Sequence, residues 1–166
     1  MIRRAKILEI PEILLLTQAC AREMIGRDIY QWNESYPSEE VLVRDIEKGQ
    51  LYVLIETVEI IGIIALCTEI DEEYNSVEWL TQDSRNLYVH RLAVHPNYQG
   101  KGHARILMDF AEQYARDQKF VSIRLDTFSQ NKRNQRFYEQ RGYTRLGDVY
   151  FPTQSTYPFH CYEFCL

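Results

Sequence analysis

The sequence predicts a mixed α/β domain, a central and mostly antiparallel sheet of about seven strands with one parallel central pair, flanked by about four helices. Three observations predict it. Apolar residues recur at helical spacing in some segments and gather as short β-branched or aromatic runs in others, and the two kinds interleave along the chain. The strand-like runs at 87–94 and 121–128 enclose a helical segment, the crossover that parallel neighbours need. With 166 residues and 45% hydrophobic content, the chain is long enough for one core and short for two, so a single domain over 1–166 is expected.

Residues 2–8 read as a first strand. Pro11 stands where a first helical turn accepts it, and Ile13, Leu14, Leu16 and Ala21 continue a helix that ends near Gly26. Residues 27–37 follow neither period and carry Tyr30, Trp32 and Tyr36 among Asp28, Asn33 and Glu34. These rings either pack as a lid over the core or line a pocket. Ser38 reads as an N-cap, with the acids Glu39 and Glu40 behind it favouring the helix dipole, for a short helix to about Lys48 that Gly49 closes. The runs 51–56 and 60–68 form an antiparallel hairpin. Residues 69–85, with Asp71, Glu72, Glu73, Glu78 and Asp83, read as a solvated acidic loop.

The strand at 87–94 is stopped by His95-Pro96-Asn97. Beyond Gly102, the residues Ala104, Leu107, Met108, Ala111 and Ala115 fall on one helix face. Residues 121–128 follow as a strand. A helix at 131–141 is capped by Ser129 or Asn131 and closed by Gly142, and 144–151 and 159–166 are the last two strands.

A net charge of −5 argues against a nucleic-acid surface. Cys20, Cys67, Cys161 and Cys165 form no CxxC pair and no Cys/His ligand spacing, and the first residues lead into no secretory apolar stretch, so free thiols in a cytoplasmic protein are expected. The apolar runs are too short to cross a bilayer, so no membrane partner is expected.

Between strand and helix lies Gln99-Gly100-Lys101-Gly102-His103-Ala104. Two glycines let backbone approach a ligand closely, and unpaired amides at a helix start suit a phosphate. A dinucleotide fingerprint fails because Arg105 stands at the third small position, and a P-loop fails for want of its Lys-Ser/Thr pair. The pattern Gln-x-x-Gly-x-Ala at Gln99, Gly102 and Ala104, after Leu92-Ala93-Val94-His95-Pro96, resembles the acetyl-CoA-binding motif of the GNAT superfamily of N-acetyltransferases. Residues 131–143, with Asn131, Phe137-Tyr138 and Gly142-Tyr143, resemble its second motif and depart from it by carrying Asn134 in the usual Ala place. The element order is the one the GNAT fold requires.

The resemblance implies acetyl-CoA-dependent transfer of an acetyl group to a primary amine, directly within a ternary complex. Leu92, Ala93 and Val94 would meet the pantetheine like an added strand, while Gln99, Gly100, Lys101, Gly102, His103 and Ala104 cradle the pyrophosphate. Asn131, Lys132, Arg133 and Arg136 would serve the adenosine end. A backbone amide near Leu92 or Ala93 would stabilise negative charge on the carbonyl oxygen. Tyr138 would be the general acid for the departing sulfur, with Phe137 facing the core and Tyr138 the cleft.

An amine of pKa near 10 needs a base. His90, which alternation places on one strand face with Tyr88 and Leu92, is the candidate, with Glu69, Glu78 and Asp126 as rivals. Tyr30, Trp32, Tyr36, Glu69 and Glu78 are the candidate acceptor contacts, and the acidic loops favour a cationic acceptor. The acceptor is a small-molecule or peptide amine, no metal is required, and a homodimer is left open. A non-catalytic acyl-CoA sensor of the same fold and a partner-binding scaffold are the alternative readings.

Overall fold

The computed structural model describes residues 1–82 and 84–166; Asp83, expected in the acidic loop, lies outside them. The strands are β1 (Ile2–Arg4), β2 (Leu51–Glu56), β3 (Glu59–Cys67), β4 (Asn86–Val94), β5 (Ser122–Phe128), β6 (Thr144–Val149) and β7 (Phe159–Cys165). They form one sheet in the order β1-β2-β3-β4-β5-β7-β6, antiparallel throughout except for the parallel β4–β5 pair. The α-helices are α1 (Ile10–Ile25), α2 (Glu39–Glu47), α3 (His103–Asp117) and α4 (Lys132–Gln140).

Alternation along the strands supplies an apolar set to each face. One face packs Val53, Ile63 and Tyr88 against Ile13 and Leu16 of α1 and Leu42 of α2. The other packs Ile64, Leu87 and Ile123 against Leu107, Met108 and Ala111 of α3 and Tyr138 of α4. Each buried aliphatic side chain stabilises the sheet by about 1.5–3 kcal/mol. Local capping chemistry holds the short helices: Ser38 Oγ accepts from the Val41 amide at 3.3 Å, and Asn131, rather than Ser129, caps α4 by accepting from the Asn134 amide at 3.1 Å.

Three local expectations give way to tertiary contacts. The first strand stops at Arg4, because Arg3 pairs with Glu9 at 2.5 Å and the Lys6 amide donates to Glu9 at 2.8 Å, folding Ile7–Glu9 into a 3-10 turn. The acidic loop is only partly solvated: a 3-10 turn at Glu72–Ser76 buries Tyr74 fully, against the rings of Tyr88, Trp79 and His90. In β4, Ile63 faces Ala93 and Ala65 faces His90, so Arg91 and Leu92 together oppose Ile64 as a bulge, with Arg91 at φ +53°. Alternation reverses there. Tyr88 and His90 lie on the α1–α2 side, whereas Leu92 packs on the α3–α4 side, so Leu92 does not share a face with His90.

The parallel pair is short. β4 and β5 meet only at Asn86↔Ser122, Leu87↔Ile123 and Tyr88↔Arg124, after which they part and β5 continues on β7 alone. The closed end of this fork is pinned by Arg124, which faces Glu163 across β5–β7, bonds it at 3.1 Å with neither side chain exposed, and also donates to the Tyr88 hydroxyl and the Thr81 carbonyl. Burial raises the Glu163 pKa, but hydrogen bonds from Thr81, Ser122, Arg124 and the Leu80 amide outweigh it and hold the carboxyl below its ordinary value. That contribution is full above the ordinary carboxyl range and is lost as pH falls through the lowered value. Glu163→Gln leaves Arg124 as a buried unpaired charge and is expected to cost about 3–5 kcal/mol, read as a lower melting temperature.

Candidate active site

Past the point where β4 parts from β5, the end of β4 borders a cavity of about 340 Å³. Its walls are the end of α1 (Cys20, Glu23, Met24, Arg27), Gln31 and Trp32, the β4 residues Leu92, Ala93 and Val94, the turn from Tyr98 to Arg105, and Asn131, Arg133, Asn134 and Phe137. The turn is built locally. Pro96–Tyr98 is a 3-10 turn in which His95 Nδ1 accepts from the Asn97 amide, and Gln99 Nε2 donates back to the Val94 carbonyl at 2.9 Å, tying the turn to the strand end. Gly100 and Gly102 stand at φ +75° and +88°, in the left-handed region, and a Cβ on either would meet nothing within 4 Å. The space over both glycines is open, and Gly102 is the N-cap of α3, whose first amides lie beside the cavity.

Gly102→Val would place a β-branched residue at positive φ, costing about 1–2 kcal/mol of stability, and set its methyl groups over those amides. Affinity for CoA is expected to fall about tenfold or more, measured by titration of the folded variant.

Most of the expected cofactor residues gather on this cavity, but Lys101, Lys132 and Arg136 do not. Lys101 Nζ turns back over the Tyr98 ring at 5.3 Å and donates to the Asn97 carbonyl, placing it on a separate recess with Glu12, Glu59 and His95. Arg136 is exposed outside the cavity, since helical spacing puts Arg133, Asn134 and Phe137 on the facing side. The two rings of the helix do not divide between core and cleft as expected. Phe137 lines the cavity, and Tyr138 is 5% exposed among Tyr143 and Tyr162, with ring centroids at 5.9 and 6.1 Å. Successive helix residues point about 100° apart, so one ring of the pair takes each direction. Burial, then the charge of Asp126, pushes the Tyr138 phenol well above its ordinary value, and no group among the described residues hydrogen-bonds its hydroxyl.

His90 is poorly suited to be the base. Burial pushes its pKa down to about 3, and Nε2 is buried without a hydrogen-bond partner among the described residues, 3.6 Å from Asp71 Oδ2. Such an imidazole is neutral at physiological pH and a weak proton acceptor. Asp126, on β5 across the fork, has the opposite disposition: burial raises its pKa to about 6 even though the Tyr74 hydroxyl donates a short hydrogen bond to it. Glu69 and Glu78 are surface groups. Glu69 is 77% exposed and ion-paired with Lys48 at 2.7 Å, and Glu78 is exposed on the loop; neither lines the cavity.

The aromatic segment divides between its two expected roles. Trp32 is buried in the core and also lines the cavity, Tyr36 is half-buried with its hydroxyl 3.3 Å from Arg91 Nη1, and Tyr30 is half exposed. The segment is fastened to the β6–β7 connection by Gln154 Nε2 donating to the Gln31 carbonyl at 2.9 Å, and to α4 by Asn131 Nδ2 donating to Gln31 Oε1 at 3.0 Å. Cys20, Glu23, Arg27 and Gln31 had no sequence signal, because nothing in a polar helix end marks which way it faces.

The profile of the acetyltransferase (GNAT) family matches residues 16–143, and the chain belongs to that family. It is similar to YesJ of Bacillus subtilis (strain 168), an uncharacterized N-acetyltransferase, at 25% identity over 120 residues, 70% of this chain and 66% of that protein's length. It is also similar to the crystal structure of a GNAT-family acetyltransferase from Streptococcus agalactiae 2603, with a TM-score of 0.80, 26% identity and coverage of 100% of this chain and 95% of the other. The PaiA N-acetyltransferase of Thermoplasma acidophilum, in complex with coenzyme A, has the same fold: TM-score 0.71, 19% identity, coverage of 100% and 98%. The four cysteines are unpaired, and among the described residues no helix is long and apolar enough to cross a membrane.

Proposed function

We propose that this acetyltransferase carries an acetyl group from acetyl-CoA directly to a primary amine, with Asp126 as the base and Tyr138 as the acid. The observation that carries the reading is the cavity between Leu92–Val94, the part of β4 that has left β5, and the left-handed glycine turn at the start of α3. The donor set fits CoA: β4 has no partner strand beyond Tyr88 on its β5 side, the turn offers amides to a pyrophosphate, and Arg27, Arg105 and Arg133 lie on the wall. That a protein of the same fold, the Thermoplasma relative, binds coenzyme A is consistent with this reading.

Acetyl-CoA, when bound, supplies an activated thioester. Asp126 accepts the proton that the attacking amine must lose, and its value of about 6 leaves it ionised at neutral pH. The amides at the bulge, near Leu92 and Ala93, would be the groups to stabilise negative charge on the carbonyl oxygen. Tyr138 lies off the cavity wall but close enough to Asp126 to feel its charge, and it stays protonated throughout the physiological range, so it would be the group to give a phenol proton to the departing sulfur.

The test is thiol release from acetyl-CoA by purified protein against a panel of amines, with acetylated product identified by mass. Amine-dependent release is expected. Tight CoA binding with no release for any amine would favour the sensor reading. Tyr74→Phe removes a hydrogen bond that lowers the Asp126 pKa, so the acid limb of the pH–rate profile should move upward from about 6; an unmoved limb would place the titrating base elsewhere.

A further inference from the structure

We propose that Arg91 and Asp45 are a positioning pair that holds the β4 bulge in the shape needed to polarise the thioester carbonyl; this rests on the acetyltransferase reading above. Arg91 stands at φ +53°, a conformation that side-chain-bearing residues rarely adopt, in the middle of a strand. It is one of the two residues opposing Ile64, and the next residues, Leu92 and Ala93, are on the cavity wall. Nothing in its own sequence favours that conformation, so a tertiary contact must hold it. The contact lies on the α1–α2 side of the sheet, with Asp45 on α2, and neither Arg91 nor Asp45 lines the cavity. Arg91 Nε and Nη2 bond Asp45 Oδ2 and Oδ1 at 2.5 and 2.9 Å in a two-point fork, with side-chain exposures of 11% and 4%.

The fork's geometry constrains both distance and orientation, as a single lysine charge would not. Asp45 is itself fixed on α2 by Gln50 Nε2, which donates to Oδ1 at 2.9 Å. The pair thus connects α2 to the one irregular point of β4, and through the backbone of that bulge to the amides beside the reacting carbonyl. Arg91 is not on the cavity wall; it acts through the backbone it anchors.

Three variants test the inference: Arg91→Lys, Asp45→Asn, and the double variant Asp45→Leu/Arg91→Met, which removes both charges and leaves no buried ion unpaired. Each is titrated calorimetrically with acetyl-CoA and with CoA, and its kcat and KM are measured against the best amine. The unaltered protein is expected to prefer acetyl-CoA to CoA, and the variants to lose that preference while keeping their affinity for CoA within about twofold. Their kcat should fall about 10²–10³-fold, the loss of one such backbone donor, with KM for acetyl-CoA little changed. Retained preference and retained kcat in the double variant would overturn the pair's role. Equal loss of affinity for both ligands, in step with a lowered melting temperature, would reduce it to a structural one. If the unaltered protein binds neither ligand, it is the acetyltransferase reading that falls; if it binds both equally yet transfers acetyl, only the positioning role falls.

Discussion

Tyr138→Phe is expected to bind acetyl-CoA as the unaltered protein does and to turn over about 10²–10⁴-fold more slowly. The ring packs against Tyr143, Tyr162 and Phe137, and phenylalanine preserves those contacts, so neither the fold nor the cavity should change. What disappears is one O–H. Burial and the nearby Asp126 charge keep that phenol protonated, which is the state an acid must be in before it acts, and its hydroxyl is engaged by no group among the described residues. The contrast between affinity and turnover is the signature, measured by titration and by single-turnover kinetics. A variant with full turnover when chemistry limits the rate would make Tyr138 a packing residue of the α3–α4 face.

Asp126→Asn is expected to lower turnover by a similar factor and, in addition, to abolish the acid limb of the pH–rate profile. The carboxyl titrates near 6 because burial penalises its charge, so in the unaltered protein activity should drop as pH falls below about 6 and the anion is lost. The stability effect has the opposite sign. A carboxyl whose folded value is raised favours the folded state below its ordinary range, and that advantage is lost as pH rises through about 6. At pH 8 the native protein therefore carries a buried charge at a cost, and Asp126→Asn should melt no lower than its parent while being nearly inactive. Stability surrendered at a reactive group is common where chemistry needs it. A variant that loses activity and stability together would point to a structural carboxylate held by Tyr74.

What was legible in the sequence is what local chemistry decides. The turn from Gln99 to Ala104 could be placed because glycines at positive φ and a helix start have short-range signatures, and Gly100 and Gly102 adopt that conformation. The mostly antiparallel sheet with its parallel β4–β5 pair followed because helical and strand periods differ and the β4–α3–β5 crossover admits a parallel pair. The bulge was not legible: Arg91 has no intrinsic preference for φ +53°, and its partner Asp45 lies 46 residues away on α2. Alternation counted through it put His90 and Leu92 on one face.

The choice of base was beyond the sequence for a related reason. The charge state of His90 or Asp126 depends on how much water the finished fold leaves around each, which spacing does not encode. Phe137 and Tyr138 show the limit of a motif: it located the ring pair and left the rotation of the helix to Tyr143 and Tyr162.

The most direct measurement is a crystal structure of the protein grown with acetyl-CoA. The thioester is predicted in the fork between β4 and β5, its carbonyl oxygen at the amides near Leu92 and Ala93, its sulfur within reach of the Tyr138 hydroxyl, and its pyrophosphate on the amides of the turn from Gln99 to Ala104. A cofactor seated away from that fork, or lying in it with the sulfur out of reach of Tyr138, would contradict the assignment of site and acid together.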